Sequence, residues 1–337
     1  MRLQRKDLRR RLMVQFHGEG GLDYGGLARE WFYLLGIEVF DPRLGMFSYC
    51  NEQDYLLQIN PSSSADQDHT LFFHFTGRLI GLAILHRHFL DVTFVSSFYK
   101  QILGQSITLA DLQDSDPDVH RSLIWILEND VSEVPDLTFS TDEDELGDIR
   151  THELVPGGAN KAVTEENKFE FAKLMVEWKL IKSSSRQMCA LLTGLNEVIP
   201  IENFRTFTVK ELRFLISGSH EYDLEDWKRN TEYKGYESND QIIEWLWEIV
   251  EAWDHDNQAR FLQFCTGSSR VPIEGFQALQ GSDGPRRFCI QKLEDLTRLP
   301  SAHTCFNRLD LPEFPVRRML EERLALALKN AQGFTGD

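Results

Sequence analysis

The sequence predicts an α+β protein in two lobes, a larger and mostly helical one followed by a smaller mixed one. Three observations carry this reading. Apolar side chains recur at helical spacing through most of the chain before residue 216. A run of small residues, Ser217-Gly218-Ser219-His220, then interrupts the pattern. Beyond it, short strand-like pieces around Gly275, Gly281 and Gly284 lie between helical runs.

Taken in order, the turn Gly18-Glu19-Gly20-Gly21 precedes a helix-like run, Ala28–Val39, and Met46–Ile59 carries strand-like pieces. Leu71, Phe75, Leu79 and Leu82 mark a long helix, and a second apolar run extends from Phe89 to Leu103. Ser115-Asp116-Pro117 joins a capping side chain to a proline suited to a first helical turn, and Val119, Leu123, Ile126 and Leu127 continue at helical spacing. The acidic stretch Thr141–Asp148 and the Gly157-Gly158 turn predict an exposed connection before another helix, Glu165–Ile181. The small residues at 217–220 serve a pivot or a simple surface turn equally well. Ile243, Leu246, Trp247 and Val250 then trace one helix face, and a final helix runs from Val316 through Leu320, Leu324, Ala327 and Leu328 to a stop at Gly333.

With 337 residues, 42% apolar and 11% aromatic, the chain can fill substantial cores. The formal charge of −17 argues against nonspecific nucleic-acid binding, which needs a cationic surface, and favours basic protein partners. Met1 is followed by Arg2, Arg5, Arg9, Arg10 and Arg11 without the apolar core of a signal peptide. No stretch is apolar for long enough to cross a bilayer, so a cytoplasmic protein without membrane contact of its own is expected. The five cysteines (Cys50, Cys189, Cys265, Cys289 and Cys305) are odd in number and scattered, which suggests neither a disulfide framework nor a zinc site.

Cys305 lies in Leu299-Pro300-Ser301-Ala302-His303-Thr304-Cys305-Phe306-Asn307, a segment whose proline and short polar residues predict extended or loop structure. If residues 303–305 are extended, His303 and Cys305 project to one side, where an imidazole can favour the reactive thiolate. A packed loop with an inert thiol fits the same residues equally well. A cysteine hydrolase would also use Cys and His, but no protease signature surrounds any cysteine. Gly18-Glu19-Gly20-Gly21 is read as a turn, because Asp23 stands where a dinucleotide loop needs Gly, and no Gly-Lys-Ser/Thr phosphate loop occurs. His69, His74, His86 and His88 lack a metal-ligand spacing, so no metal is expected.

The longer run Leu299–Pro312, containing His303-Thr304-Cys305-Phe306-Asn307-Arg308-Leu309-Asp310-Leu311-Pro312, closely resembles the active-site signature of HECT ubiquitin ligases. Further segments resemble the family in its order: Gly21-Leu22-Asp23-Tyr24-Gly25-Gly26 with Ala28-Arg29-Glu30-Trp31, Leu57-Gln58-Ile59-Asn60-Pro61, Trp125–Asp130, Val163–Asn167, and Leu262-Gln263-Phe264 with Thr266-Gly267. The text is most similar to the Smurf-like branch whose longer members carry WW domains. None of those modules lies in this chain, so a catalytic fragment or a short form is expected.

The resemblance implies a bilobal fold with an N-lobe at 1–216, a conjugating-enzyme-binding subdomain at about 108–190, a hinge at 217–222 and a C-lobe at 223–337. It implies that Cys305 takes ubiquitin from a conjugating enzyme as a thioester and passes it to a substrate lysine. Both steps are acyl transfers, for which no cofactor is expected. His303, Thr304 and Asn307 are implied to support the site, and Phe334 to anchor the C-lobe. Leu123, Leu127, Phe171 and Met175 align with the groove for the conjugating enzyme, with Met175 standing where the family commonly has Tyr. Tyr55 and Phe207 match positions of a noncovalent ubiquitin-binding surface. An interaction scaffold that keeps the fold without transferring ubiquitin is the alternative of a different class.

Overall fold

The computed structural model describes residues 5–10, 12–17, 26–50, 55–132, 134, 136–145, 147–281 and 284–332. The expected α+β class is seen, with helices dominating and one four-stranded sheet near the end of the chain. Two compact units divide the residues. Ile37–Leu85 and Val92–Arg213 make most of the first; His86–Asp91, with the described parts of Arg10–Gly36 and Phe214–Asp337, makes the second. Within the second unit, side chains such as Arg29 and Asp91 bond to residues far along the chain.

In the first unit, helix His69–Leu85 lies against helix Ser185–Val198 with glycines at the crossing. A Cβ added at Gly77 would sit 1.9 Å from the Leu191 carbonyl oxygen, and one at Gly194 would sit 2.0 Å from that of His74. The two backbones therefore touch directly, an approach that only glycine permits. Beside the crossing, Glu197 accepts a hydrogen bond from Arg78 Nε at 2.6 Å. Phe40, Phe47, Phe73, Phe94 and Phe98 are all buried in the same unit, with Phe94 stacked on Phe98 at 3.9 Å.

Residues between Leu112 and Leu180 have a core of their own, which includes Leu123, Ile126, Phe139, Phe171 and Met175. Helix Pro117–Glu128 starts as its sequence predicts: the Asp116 carboxylate accepts from Val119 N at 3.1 Å, and Pro117 occupies a position whose N–H would be unpaired. The acidic stretch expected as an exposed connection is instead a hairpin, Ser140–Glu145 paired antiparallel with Asp148–Glu153. Its charges are held by partners outside the run. Thr151 Oγ1 donates to Asp142 at 2.6 Å, while Glu143 accepts from Trp178 Nε1 at 2.9 Å and pairs with Lys179 Nζ at 3.3 Å.

The second unit contains the four-stranded sheet, β1 (Thr231–Lys234), β2 (Phe288–Leu293), β3 (Ser301–His303) and β4 (Arg308–Pro312), in the order β1-β2-β4-β3. β2 runs parallel to both β1 and β4, and β3 turns back antiparallel to β4. Helices Gln241–Ala252, His255–Thr266 and Arg317–Gln332 contribute Leu246, Phe261, Leu262, Leu320 and Leu324 to one core, where Trp227 stacks on Phe276 at 4.5 Å. The expected helix face at Ile243, Leu246, Trp247 and Val250 is buried throughout.

Helix Val209–Ser217 ends at Gly218, whose φ of +66° is the left-handed region open to glycine. Ser219 N–H donates to the Val271 carbonyl at 2.7 Å, and Val271 N–H returns the bond at 3.1 Å. Among the described residues no helix is long and apolar enough to cross a membrane. Among them, too, no three His, Cys, Asp or Glu side chains gather as metal ligands.

Candidate active site

Cys305 sits in a single 3-10 turn, Thr304–Phe306, that joins β3 to β4. Asn307 makes this tight connection possible. It adopts the left-handed conformation (φ +46°, ψ +42°), which asparagine tolerates better than most residues. Its side chain is fully buried and donates to the Gln280 carbonyl at 2.9 Å and to the Arg286 carbonyl at 2.8 Å. Its backbone carbonyl accepts from Cys289 N at 2.9 Å. Asn307 therefore staples the turn to the sheet and to the segment before β2. The next residue back, Phe306, is exposed beneath the Arg286 guanidinium, 4.7 Å from its ring centre.

The extended geometry considered for residues 303–305 is not what forms. β3 ends at His303, and the turn begins at Thr304. The His303 ring instead reaches across the hairpin, with Nε2 3.0 Å from Asp310 Oδ2. Arg308 shares that carboxylate, its Nε 2.9 Å from Asp310 Oδ1 in an ion pair whose angles are poor for a hydrogen bond. Thr304 contributes its carbonyl oxygen, which accepts from Arg29 Nη1 at 3.2 Å.

The cysteines differ sharply in environment. Cys265 and Cys289 are buried, and burial pushes both thiols up, away from the reactive thiolate. Cys189 is exposed on helix Ser185–Val198, and Cys50 is half-buried just after the strand Phe47–Tyr49. Cys305 is half-buried on a turn tethered from several sides, and no other cysteine has such a setting.

Phe334 lies outside the described residues. The four groove residues separate. Leu123, Phe171 and Met175 are buried in the core, with Phe171 edge-on to Phe139 at 5.6 Å. Leu127 alone lines an open groove, of about 410 Å³, with Ile107, Leu109, Phe169, Ala172 and Val176. Phe169 is 67% exposed, and Trp125 on the neighbouring helix is 49% exposed. Neither was singled out from the sequence, although an aromatic off the buried stripe is the available signal. Leu123→Ala is accordingly expected to cost about 2–5 kcal/mol of stability, read by chemical denaturation. Tyr55 is exposed in a left-handed conformation (φ +49°) with its ring edge-on to Tyr49 at 5.4 Å. Phe207 is half-buried, 6.4 Å from Phe204.

Residues 33–337 match the HECT-domain (ubiquitin-transferase) family. Over 334 residues, 99% of the chain, it is 48% identical to the E3 ubiquitin-protein ligase RSP5 of Emericella nidulans, of which it covers 41%. It is likewise 48% identical to the E3 ubiquitin-protein ligases pub1 and pub3 of Schizosaccharomyces pombe, covering 44% and 42% of them. The chain thus spans less than half the length of these relatives. A family match across the sheet and the cysteine turn, with identity near one half throughout, leaves one assignment: the chain belongs to the HECT-domain family.

Proposed function

We propose that this chain is the transferase part of a ubiquitin-protein ligase. The observation that carries the reading is the tethered, half-buried Cys305 turn in a chain matched to the HECT family almost from end to end. The Cys305 thiolate attacks the thioester carbon that links ubiquitin to a conjugating enzyme; the new C–S bond forms as the conjugating enzyme's thiolate leaves. The neutral amine of a substrate lysine then attacks, an amide bond forms, Cys305 leaves as thiolate, and the amine proton passes to a base or solvent. The test is a mixture of the chain with a charged conjugating enzyme, resolved without reductant. A ubiquitin adduct that a thiol reductant removes supports the reading, and no adduct at any concentration of the conjugating enzyme sinks it.

The remaining assignments belong to the same proposal. Residues 1–216 act as the N-lobe, with the conjugating enzyme held at about 108–190, and 223–337 act as the C-lobe. The groove around Leu127 and Phe169 is apolar and open, which suits a hydrophobic loop of that enzyme. Phe169→Asp is expected to weaken binding more than about tenfold, read by titration calorimetry, with stability changed by only about 0.5 kcal/mol. Tyr55 and Phe207 serve a noncovalent ubiquitin surface, and Phe334 anchors the C-lobe. The segment 217–222 serves as the pivot. Gly218 is its conformational requirement, since a Cβ there would lie 2.9 Å from Arg270 Cβ. The protein acts in the cytoplasm on protein substrates.

A further inference from the structure

Arg29, on the helix Gly26–Val39, is nearly fully buried, and it lies beside the turn that carries Cys305. Its guanidinium spreads over three acceptors: Nη2 donates to the Gln280 carbonyl at 2.6 Å, and Nη1 to the Thr304 carbonyl at 3.2 Å and to Asn307 Oδ1 at 3.3 Å. Asn307 donates to the same Gln280 carbonyl. Arg29, Asn307 and the carbonyls of Gln280 and Thr304 therefore close one network around the base of the turn. The path of the arginine is shaped by Gly267, where an added Cβ would lie 3.0 Å from Arg29 Cδ and 3.4 Å from Thr304 Cβ.

These three acceptors are all uncharged. A buried cation with neutral partners alone carries a desolvation cost that two carbonyls and an amide oxygen offset only in part. Burial pushes the Arg29 pKa down to about 10, with the charge of Cys305 acting in the opposite direction, so the guanidinium is still cationic at neutral pH. A lysine could supply the charge, but not a planar fork spanning acceptors on separate segments.

We propose that Arg29 is a positioning residue for Cys305, clamping the turn Thr304–Phe306 through the Thr304 carbonyl and the Asn307 amide. The inference rests on the ubiquitin-transferase reading for its place in the reaction, while its chemical core concerns the thiol alone. A purely architectural arginine would lower stability on removal and leave the reactivity of Cys305 in the folded protein unchanged.

The test uses the full chain and iodoacetamide at one neutral pH, with alkylation of Cys305 and of the exposed Cys189 followed together by peptide mass spectrometry. Arg29→Gln is expected to slow Cys305 by about tenfold relative to Cys189, because the turn that presents the thiol loses its tether. Arg29→Lys, which keeps the cation without the fork, should fall between Arg29→Gln and the wild type. In single-turnover transfer from a charged conjugating enzyme, Arg29→Gln should lose roughly 10- to 100-fold in rate at saturation with unchanged half-saturation. An unchanged Cys305-to-Cys189 ratio in folded Arg29→Gln overturns the proposal. Should that variant fail to unfold cooperatively, Arg29→Lys decides alone, and wild-type ratios in it overturn the clamp. If the wild type never accepts ubiquitin, the proposed function falls, yet the alkylation ratio still judges Arg29.

Discussion

Cys305→Ala is expected to abolish the reductant-sensitive ubiquitin adduct and to lower discharge of a charged conjugating enzyme by roughly 10⁴- to 10⁶-fold, the range seen when a covalent nucleophile is removed. The fold should survive. The side chain is half-buried at the crest of a turn, and the hydrogen bonds that shape the turn come from Asn307, Thr304 and Arg29. Cys305→Ser sharpens the test, because an oxygen ester resists thiol reductants and yields to hydroxide. The other cysteines make poor substitutes: Cys265 and Cys289 are buried with their thiols pushed up. Cys189→Ser should therefore leave the adduct intact. An adduct that persists in Cys305→Ala and vanishes in Cys189→Ser would relocate the nucleophile.

Gly194→Ala is expected to destabilise the first unit by about 3 kcal/mol or more, the upper end of overpacking penalties. The sign is what makes the experiment informative. In an ordinary exposed helix, glycine to alanine gains up to about 1 kcal/mol from helix propensity. Here the new Cβ would fall 2.0 Å from the carbonyl oxygen of His74 and 3.1 Å from the Arg78 nitrogen, so backbone has to move. Gly77→Ala meets the Leu191 carbonyl in the same way and should behave alike. Chemical denaturation of the single variants measures both. Stabilisation in either would mean that the helices do not touch as described.

Local rules and a long signature made part of this legible in the sequence. The start of helix Pro117–Glu128 was readable because cap, proline and apolar stripe lie within a few residues of one another. Cys305 stood out through its neighbours from Leu299 to Pro312, since His-x-Cys by itself serves two readings. What escaped depends on partners far along the chain. Arg29 is 275 residues from Thr304 in sequence, and no periodicity or spacing joins them. The acidic run forms a strand whose Glu143 accepts a hydrogen bond from Trp178 and pairs with Lys179, both more than thirty residues away. Helical spacing at Leu123, Phe171 and Met175 was a true amphipathic signal, but it cannot say whether the stripe faces a partner or the molecule's own interior; here it faces inward.

The buried amide of Asn307 has a consequence for how the protein ages. Both of its N–H groups point at carbonyl oxygens, those of Gln280 and Arg286, while its oxygen receives Arg29. Hydrolysis of that amide would leave the outline of the side chain almost untouched and replace two donors with an anionic oxygen facing two lone pairs. A single deamidation would thus trade two donors for an anion beside the Arg29 guanidinium without removing any reactive atom. An old preparation would then keep its cysteine content while its reactive turn changed, and peptide mass spectrometry would locate the modified residue.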